Sequence, residues 1–197
     1  MDQQTKAAER LTFSEPEHRY ELDGKYIPSV TTILDDVGLK TFPDFVQDRE
    51  WYADRGTKVH KACHLFDIGK LVPESVDPAI TGYLKAYELA KKEMGFTVVH
   101  SELRVFDEAF WVAGTLDKFV AFRGGKTAII DLKCGAKNRG DRYQTAGYGY
   151  AFGGYFEIDR LALYLRDDGS FAPDPHDDDS DFTVFQSACN VYHAKYR

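Results

Sequence analysis

The stretch "GTLDKFVAFRGGKTAIIDLKCG", Gly114 to Gly135, holds two runs of apolar and polar residues around an Arg-Gly-Gly turn, and each run carries an acid, Asp117 or Asp131. Glycine supplies the positive φ that a tight reversal requires, so the stretch predicts two antiparallel strands joined at 123–125. Side chains two apart on a strand share a face, which sets Asp131 and Lys133 on one side and Ile130 and Leu132 on the other. The hairpin brings Asp117 into the neighbourhood of Asp131. Two facing carboxylates repel unless something positive lies between them, and a divalent cation, which prefers oxygen ligands, is the simplest such group. Beside it the Lys133 ammonium would orient a bound water and neutralise charge developing on a phosphate. The competing reading is a solvated polar face held by an ion pair.

Working outward, "FTVVHSELRVF" (96–106) adds a third strand through a turn at Asp107-Glu108, giving an antiparallel meander. Downstream, "RGDRYQTAGYGYAFGGYF" predicts a helix, "EIDRLALYLRDDG" a strand and "DFTVFQSACNVYHAKYR" a terminal helix, with an acidic, solvated loop before the last. Upstream, Asp23-Gly24 in "HRYELDGKYIPS" marks a hairpin of type I′, preceded by a frayed tail or short helix. Ser29 caps a short helix "VTTILDDVG" that Gly38 closes. A second helix starts at Pro43 and is interrupted near Gly56, a third ends at Gly69, and the longest runs from about Asp77 to Met94 with Gly95 as its stop.

The whole chain, 1–197, reads as one domain: a hairpin and helical region over 1–95 and a sheet-and-helix core over 96–197. No apolar run is long enough for a bilayer, and MDQQTKAAER lacks the basic and apolar regions of a secretory signal, so the expectation is a cytoplasmic protein without a membrane partner. Three scattered cysteines, Cys63, Cys134 and Cys189, support neither a disulfide framework nor a four-thiolate centre. A net charge of −7 argues at first against nucleic acid. Five of the 32 acids, however, crowd into "DPHDDDSD", and the 27 that remain face 25 basic residues. Local charge then decides. Arg123, Lys126, Lys133, Lys137, Arg139 and Arg142 form a basic segment that would track a phosphate backbone, and Arg55, Lys58 and Lys61 surround His60. An ordinary solubilising surface is the alternative for each of them.

The ordered combination of "PSVTTIL", "RGTKVH" (55–60), "GTLD" (114–117), "IIDLK" (129–133) and "QTAGY" (144–148) resembles the PD-(D/E)XK nuclease superfamily, and within it the RecB-like exonucleases, mitochondrial and phage members included. The resemblance spans about Pro28 to Leu165. It implies an α/β fold with a restriction-endonuclease-like core, a mixed sheet flanked by helices, and an N-terminal helical region. It implies His60, Asp117 and Asp131 as ligands of Mg²⁺ or Mn²⁺, one ion or two, with the Leu132 carbonyl as a further ligand and Glu102 as a secondary candidate. Lys133 becomes the catalytic lysine, with Gln144 and Tyr148 presenting a polar edge four residues apart on a helix. His64, one turn from His60, is left at the surface or behind the ligands.

The implied function is hydrolysis of DNA phosphodiesters, exonucleolytic and directed to single strands, in replication, recombination or repair, in a bacterial or phage-infected cell. Replication or recombination proteins are the expected partners. A structure-specific endonuclease and a nucleic-acid-binding subunit that does not cut are the alternatives. Three cysteines rather than four exclude the iron-sulfur cluster of some relatives, and no G-x-x-x-x-G-K-[ST] loop is present, so motor activity would need another chain. Phe42, Phe45, Trp51 and Tyr52, interleaved with Arg49 and Arg55, would stack on unpaired bases unless the stripe packs on the core.

Overall fold

The computed structural model describes residues 9–15, 17–40, 48–153 and 157–196. The hairpin at Asp23-Gly24 forms as the turn residues dictate, with φ of 50° and 75° at the two positions. It joins β2 (Arg19–Leu22) to β3 (Lys25–Ile27), and β1 (Leu11–Ser14) pairs antiparallel with β2. The expected tail or helix is thus a strand where residues 11–14 run. Leu11 is buried in a small apolar cluster with Tyr20, Leu22, Ile27 and Ala113, and Arg10 pairs with Asp23 and Glu108.

Ser29 caps α1 (Val30–Asp36) by accepting the Thr32 N–H at 2.9 Å, and Gly38 follows with φ 74°. Asp48 caps α2 (Arg49–Asp67), which continues through Gly56 instead of breaking there. A single interior glycine costs a helix only about 1 kcal/mol, and the helix packs Val59, Ala62 and Cys63 into the core. The start expected at Pro43 lies outside the described residues. At 19 residues α2 is the longest described helix, exceeding the 14 of α3 (Thr81–Met94), whose entry is a separate 3₁₀ turn at Pro78–Ile80. Gly95 ends α3 in the left-handed conformation.

Five strands make the main sheet in spatial order β4 (Phe96–Asp107), β5 (Val112–Phe122), β6 (Thr127–Lys133), β7 (Asp159–Leu165) and β8 (Phe171–Pro175). The first three form the expected antiparallel meander, while β6 and β7 are parallel because α4 (Asp141–Phe152) crosses between them. The stretch after β7 was expected to be a solvated loop. It is one at the exposed Asp177, Asp178 and Asp179, but β8 precedes them, and Pro173 and Pro175 are tolerated because β8 is an edge strand. Asp181 beyond it is 1% exposed, buried by ion pairs with Arg142 and Arg160 at the start of α5 (Ser180–Lys195).

One apolar cluster joins α1, α4 and α5 to Leu116 and Ile129, and another joins α2 and α3 to Val120, Ile130 and Leu132. The fold is therefore α/β, a mixed five-stranded sheet flanked by helices. Among the described residues no helix is long and apolar enough to cross a membrane.

Candidate metal centre

Three elements converge on one point: α2 brings His60, β4 Glu102 and β5 Asp117, each offering a ligand atom within 4.8 Å of the others. The approach of Glu102 follows from an irregular β4. Its register against β5 shifts between Val98 and His100, and Glu102 has φ 54°, a conformation that costs a non-glycine residue about 1–3 kcal/mol. Ser101 pairs with Lys118 and Leu103 with Leu116, which sets Glu102 across from Asp117. On the other side of β5, the pairing of Lys118 with Ile130 carries on toward Asp117 and Asp131, and the Leu132 N–H donates to Asp117 Oδ2 at 2.7 Å.

The His60 ring bridges the two strands, with Nδ1 3.2 Å from Asp117 Oδ1 and Nε2 3.1 Å from the Leu132 carbonyl. Burial alone would favour the neutral ring, but Asp117 and Glu102 overcome it and push the His60 pKa up to about 9. The same imidazolium holds Asp117 below the usual carboxylate range despite its burial. Glu102 goes the other way: burial, then the charge on Asp117, raise it to about 7, and its buried Oε1 has no hydrogen-bond partner. Protonated His60 thus donates toward a carboxylate and a carbonyl. One nitrogen donor and two carboxylates could hold a metal ion, and the orphaned Glu102 oxygen is the observation that fits such a group.

Asp131 adjoins this group without entering it. Its Oδ2 faces the Lys133 ammonium, and burial raises its pKa. The sequence expectation made Asp131 a ligand and Glu102 secondary, whereas the tight triad contains Glu102. Lys133 is half-buried, and Asp131 and Asp141 keep it charged against that burial. Its Nζ donates to Gln144 Oε1 at 2.8 Å, and Gln144 Nε2 donates to the Tyr148 hydroxyl at 3.1 Å and to Thr31 at 3.3 Å. Gln144 and Tyr148 share one edge of α4, as their spacing predicts. The glycine of "GTLD" has a physical reason here, since a Cβ on Gly114 would stand 2.9 Å from the Tyr148 ring.

The basic residues divide. Arg55 donates to the Cys134 carbonyl at 2.6 Å and lies 4.7 and 4.9 Å from the Trp51 and Tyr52 ring centroids. Those rings are 48% and 41% exposed, so the stripe does not pack on the core at these two positions. Phe42 and Phe45 lie outside the described residues, and the side chain of Arg49 is not described. Lys58 pairs with Asp54 and Asp77, and Lys137 with Asp174. Arg139 is exposed. Arg142 pairs with Asp178 and Asp181. His64 bonds Ser101 Oγ at 2.9 Å, beside Glu102 but outside the triad. The three cysteines are free thiols. Lys40, Asp141 and Thr31 were missed by sequence reading. Thr31 lies within "PSVTTIL" without a role drawn from it, Asp141 stands three residues before Gln144 on one helical face, and Lys40 had no signal.

No family model and no curated protein matches this sequence. Among solved structures the chain is similar to the crystal structure of SSO0001, at 13% identity over 84% of each chain and a TM-score of 0.41. A likeness at that level leaves the reading of the site to its own geometry.

Proposed function

We propose that this chain is a metal-dependent deoxyribonuclease with a restriction-endonuclease-like core, acting as an exonuclease on single-stranded DNA in replication, recombination or repair. The observation that carries the reading is the convergence of His60, Glu102, Asp117 and the Leu132 carbonyl beside a half-buried, charged Lys133. A nucleic-acid-binding module that does not cut has no need to hold two carboxylates this close to one another.

His60, Glu102, Asp117 and the Leu132 carbonyl would hold the cation, with Asp131 at its edge. A bound Mg²⁺ or Mn²⁺ supplies Lewis acidity and lowers the pKa of water. The rest falls to the chain. Asp131 and Asp141 keep the Lys133 ammonium in place and protonated, so it can orient the attacking water and neutralise the phosphate as charge develops. Gln144 fixes the direction of Lys133, and Tyr148 fixes Gln144. Trp51 and Tyr52 supply exposed faces for unpaired bases, and Arg55 ties them to the Cys134 carbonyl next to the Lys133 strand end.

The test is incubation with end-labelled linear and circular single-stranded DNA, with Mg²⁺, Mn²⁺ or EDTA. Linear DNA should shorten in either metal while circles persist and EDTA stops the reaction. Nicked circles would indicate the endonuclease alternative, and binding without cleavage the non-cleaving one.

A further inference from the structure

Lys40 follows α1 and belongs to no motif, yet its ammonium lies inside the site. The Leu39-Lys40 backbone presses on the start of α4 so closely that a Cβ on Gly140 would stand 2.6 Å from the Leu39 carbonyl oxygen and 2.7 Å from the Lys40 Cβ. That contact needs the glycine and fixes where Lys40 enters. Its Nζ reaches Asp141 Oδ1 at 2.9 Å and also contacts Gln144 Oε1, the same oxygen that accepts Lys133 at 2.8 Å. Lys133 in turn lies 3.7 Å from the same Asp141 oxygen. Two lysine side chains, 19% and 18% exposed, therefore converge on one amide oxygen and one Asp141 oxygen, and Lys133 alone also meets Asp131 Oδ2.

A structural tie between this segment and α4 would need Asp141 alone. The other Asp141 oxygen is taken by the Tyr164 hydroxyl at 2.7 Å and the Asn138 N–H at 3.2 Å, so Asp141 cannot give each ammonium an oxygen of its own. Burial and the neighbouring Lys133 accordingly depress the Lys40 pKa. An anion with several oxygens set between the two would turn repulsion into attraction. We propose that Lys40 and Lys133 form a two-lysine seat for a phosphate group, in which Lys40 supplies a second phosphate contact beside the catalytic lysine. The nucleic-acid source of that phosphate rests on the nuclease reading.

The experiment compares the parent chain with Lys40→Met and Lys40→Arg, each shown to be folded by circular dichroism and melting. Affinity for a short fluorescein-labelled single-stranded oligonucleotide is measured in Ca²⁺ across a salt series. Loss of one phosphate contact makes the slope of log affinity against log salt shallower by about 0.7 for Lys40→Met, and Lys40→Arg restores it. With Mn²⁺, cleavage by Lys40→Met at saturating DNA should fall by about 10²-fold. A purely structural lysine would change the melting temperature and leave the slope alone, so a folded Lys40→Met with the parent's slope overturns the proposal. If Lys40→Met does not fold, Lys40→Gln takes its place against Lys40→Arg. A parent that binds without cutting overturns the nuclease reading while the slope still decides on Lys40. A parent that does not bind DNA overturns both.

Discussion

Two buried polar clusters lie along α4, and they are built to opposite rules. Around Arg160 the partners match: its guanidinium meets Asp181, the Arg142 and Asp178 carbonyls and Thr145, and Thr145 also bonds His176. There burial and Arg160 keep His176 neutral, with a pKa of about 4. Around His60 and Lys133 the partners do not match. A carboxylate oxygen of Glu102 has no hydrogen-bond partner, and two lysines share Gln144 Oε1 and an Asp141 oxygen, with Asp131 facing Lys133 alone. A third cluster, Lys118 with Asp67, Ser101 and Tyr87, follows the first rule. Buried polar groups that stabilise a fold are paired within it. On the proposed reading, the mismatch on the other face of α4, at Asp141, Gln144 and Tyr148, is a demand for groups from outside, a cation on one side and a phosphate on the other.

The difference can be broken from either side. Asp181→Ala removes one partner of a buried pair and should destabilise the fold by about 3–5 kcal/mol in denaturant unfolding. Asp131→Ala should leave the fold and most DNA affinity intact while cleavage falls by about 10³-fold. Cleavage by Asp131→Ala at the parent rate would remove that residue from the site. His60→Ala should lose far more activity than His64→Ala, and Mn²⁺ should support the parent at least as well as Mg²⁺, because imidazole affinity rises along the first transition row. Equal losses would erase the distinction between the two histidines.

The pH dependence sharpens the contrast. His60 has its pKa raised in the folded state from 6.5 to about 9, so its contribution is full below the unfolded value and is lost as pH rises through 9. Glu102, raised from 4.5 to about 7, adds a loss of the same sign between those values. Metal-free protein should therefore lose on the order of 2 kcal/mol between near-neutral and alkaline pH, and Mn²⁺ should lessen the fall. Thermal melts with EDTA and with Mn²⁺ read this directly. The smallest effect is at the surface: Trp51→Ala should weaken single-stranded DNA binding by about 1–3 kcal/mol and leave Mn²⁺ affinity unchanged.

What the sequence revealed follows the range over which its signals act. The 114–135 hairpin, the Ser29 cap and the Gln144–Tyr148 edge depend on spacings of a few residues, and each is where those spacings put it. β1 is four residues long, too short for its alternation to stand out, and β8 is masked by its prolines. The place of Glu102 in the triad depends on an unusual φ within a strand, which alternation cannot show. Lys40 meets Lys133 only because α1 folds onto α4, a contact with no local signature.

The central claim is that the mismatched cluster holds a divalent cation, and titration of Mn²⁺ into the purified protein by calorimetry tests it most directly. Binding should displace the proton on His60, so the heat at near-neutral pH should depend on the buffer's ionisation enthalpy. Both the binding and the proton release should be lost in Asp117→Ala and sharply reduced in His60→Ala. No Mn²⁺ binding by the parent, or equal binding by the parent and Asp117→Ala, would contradict the claim.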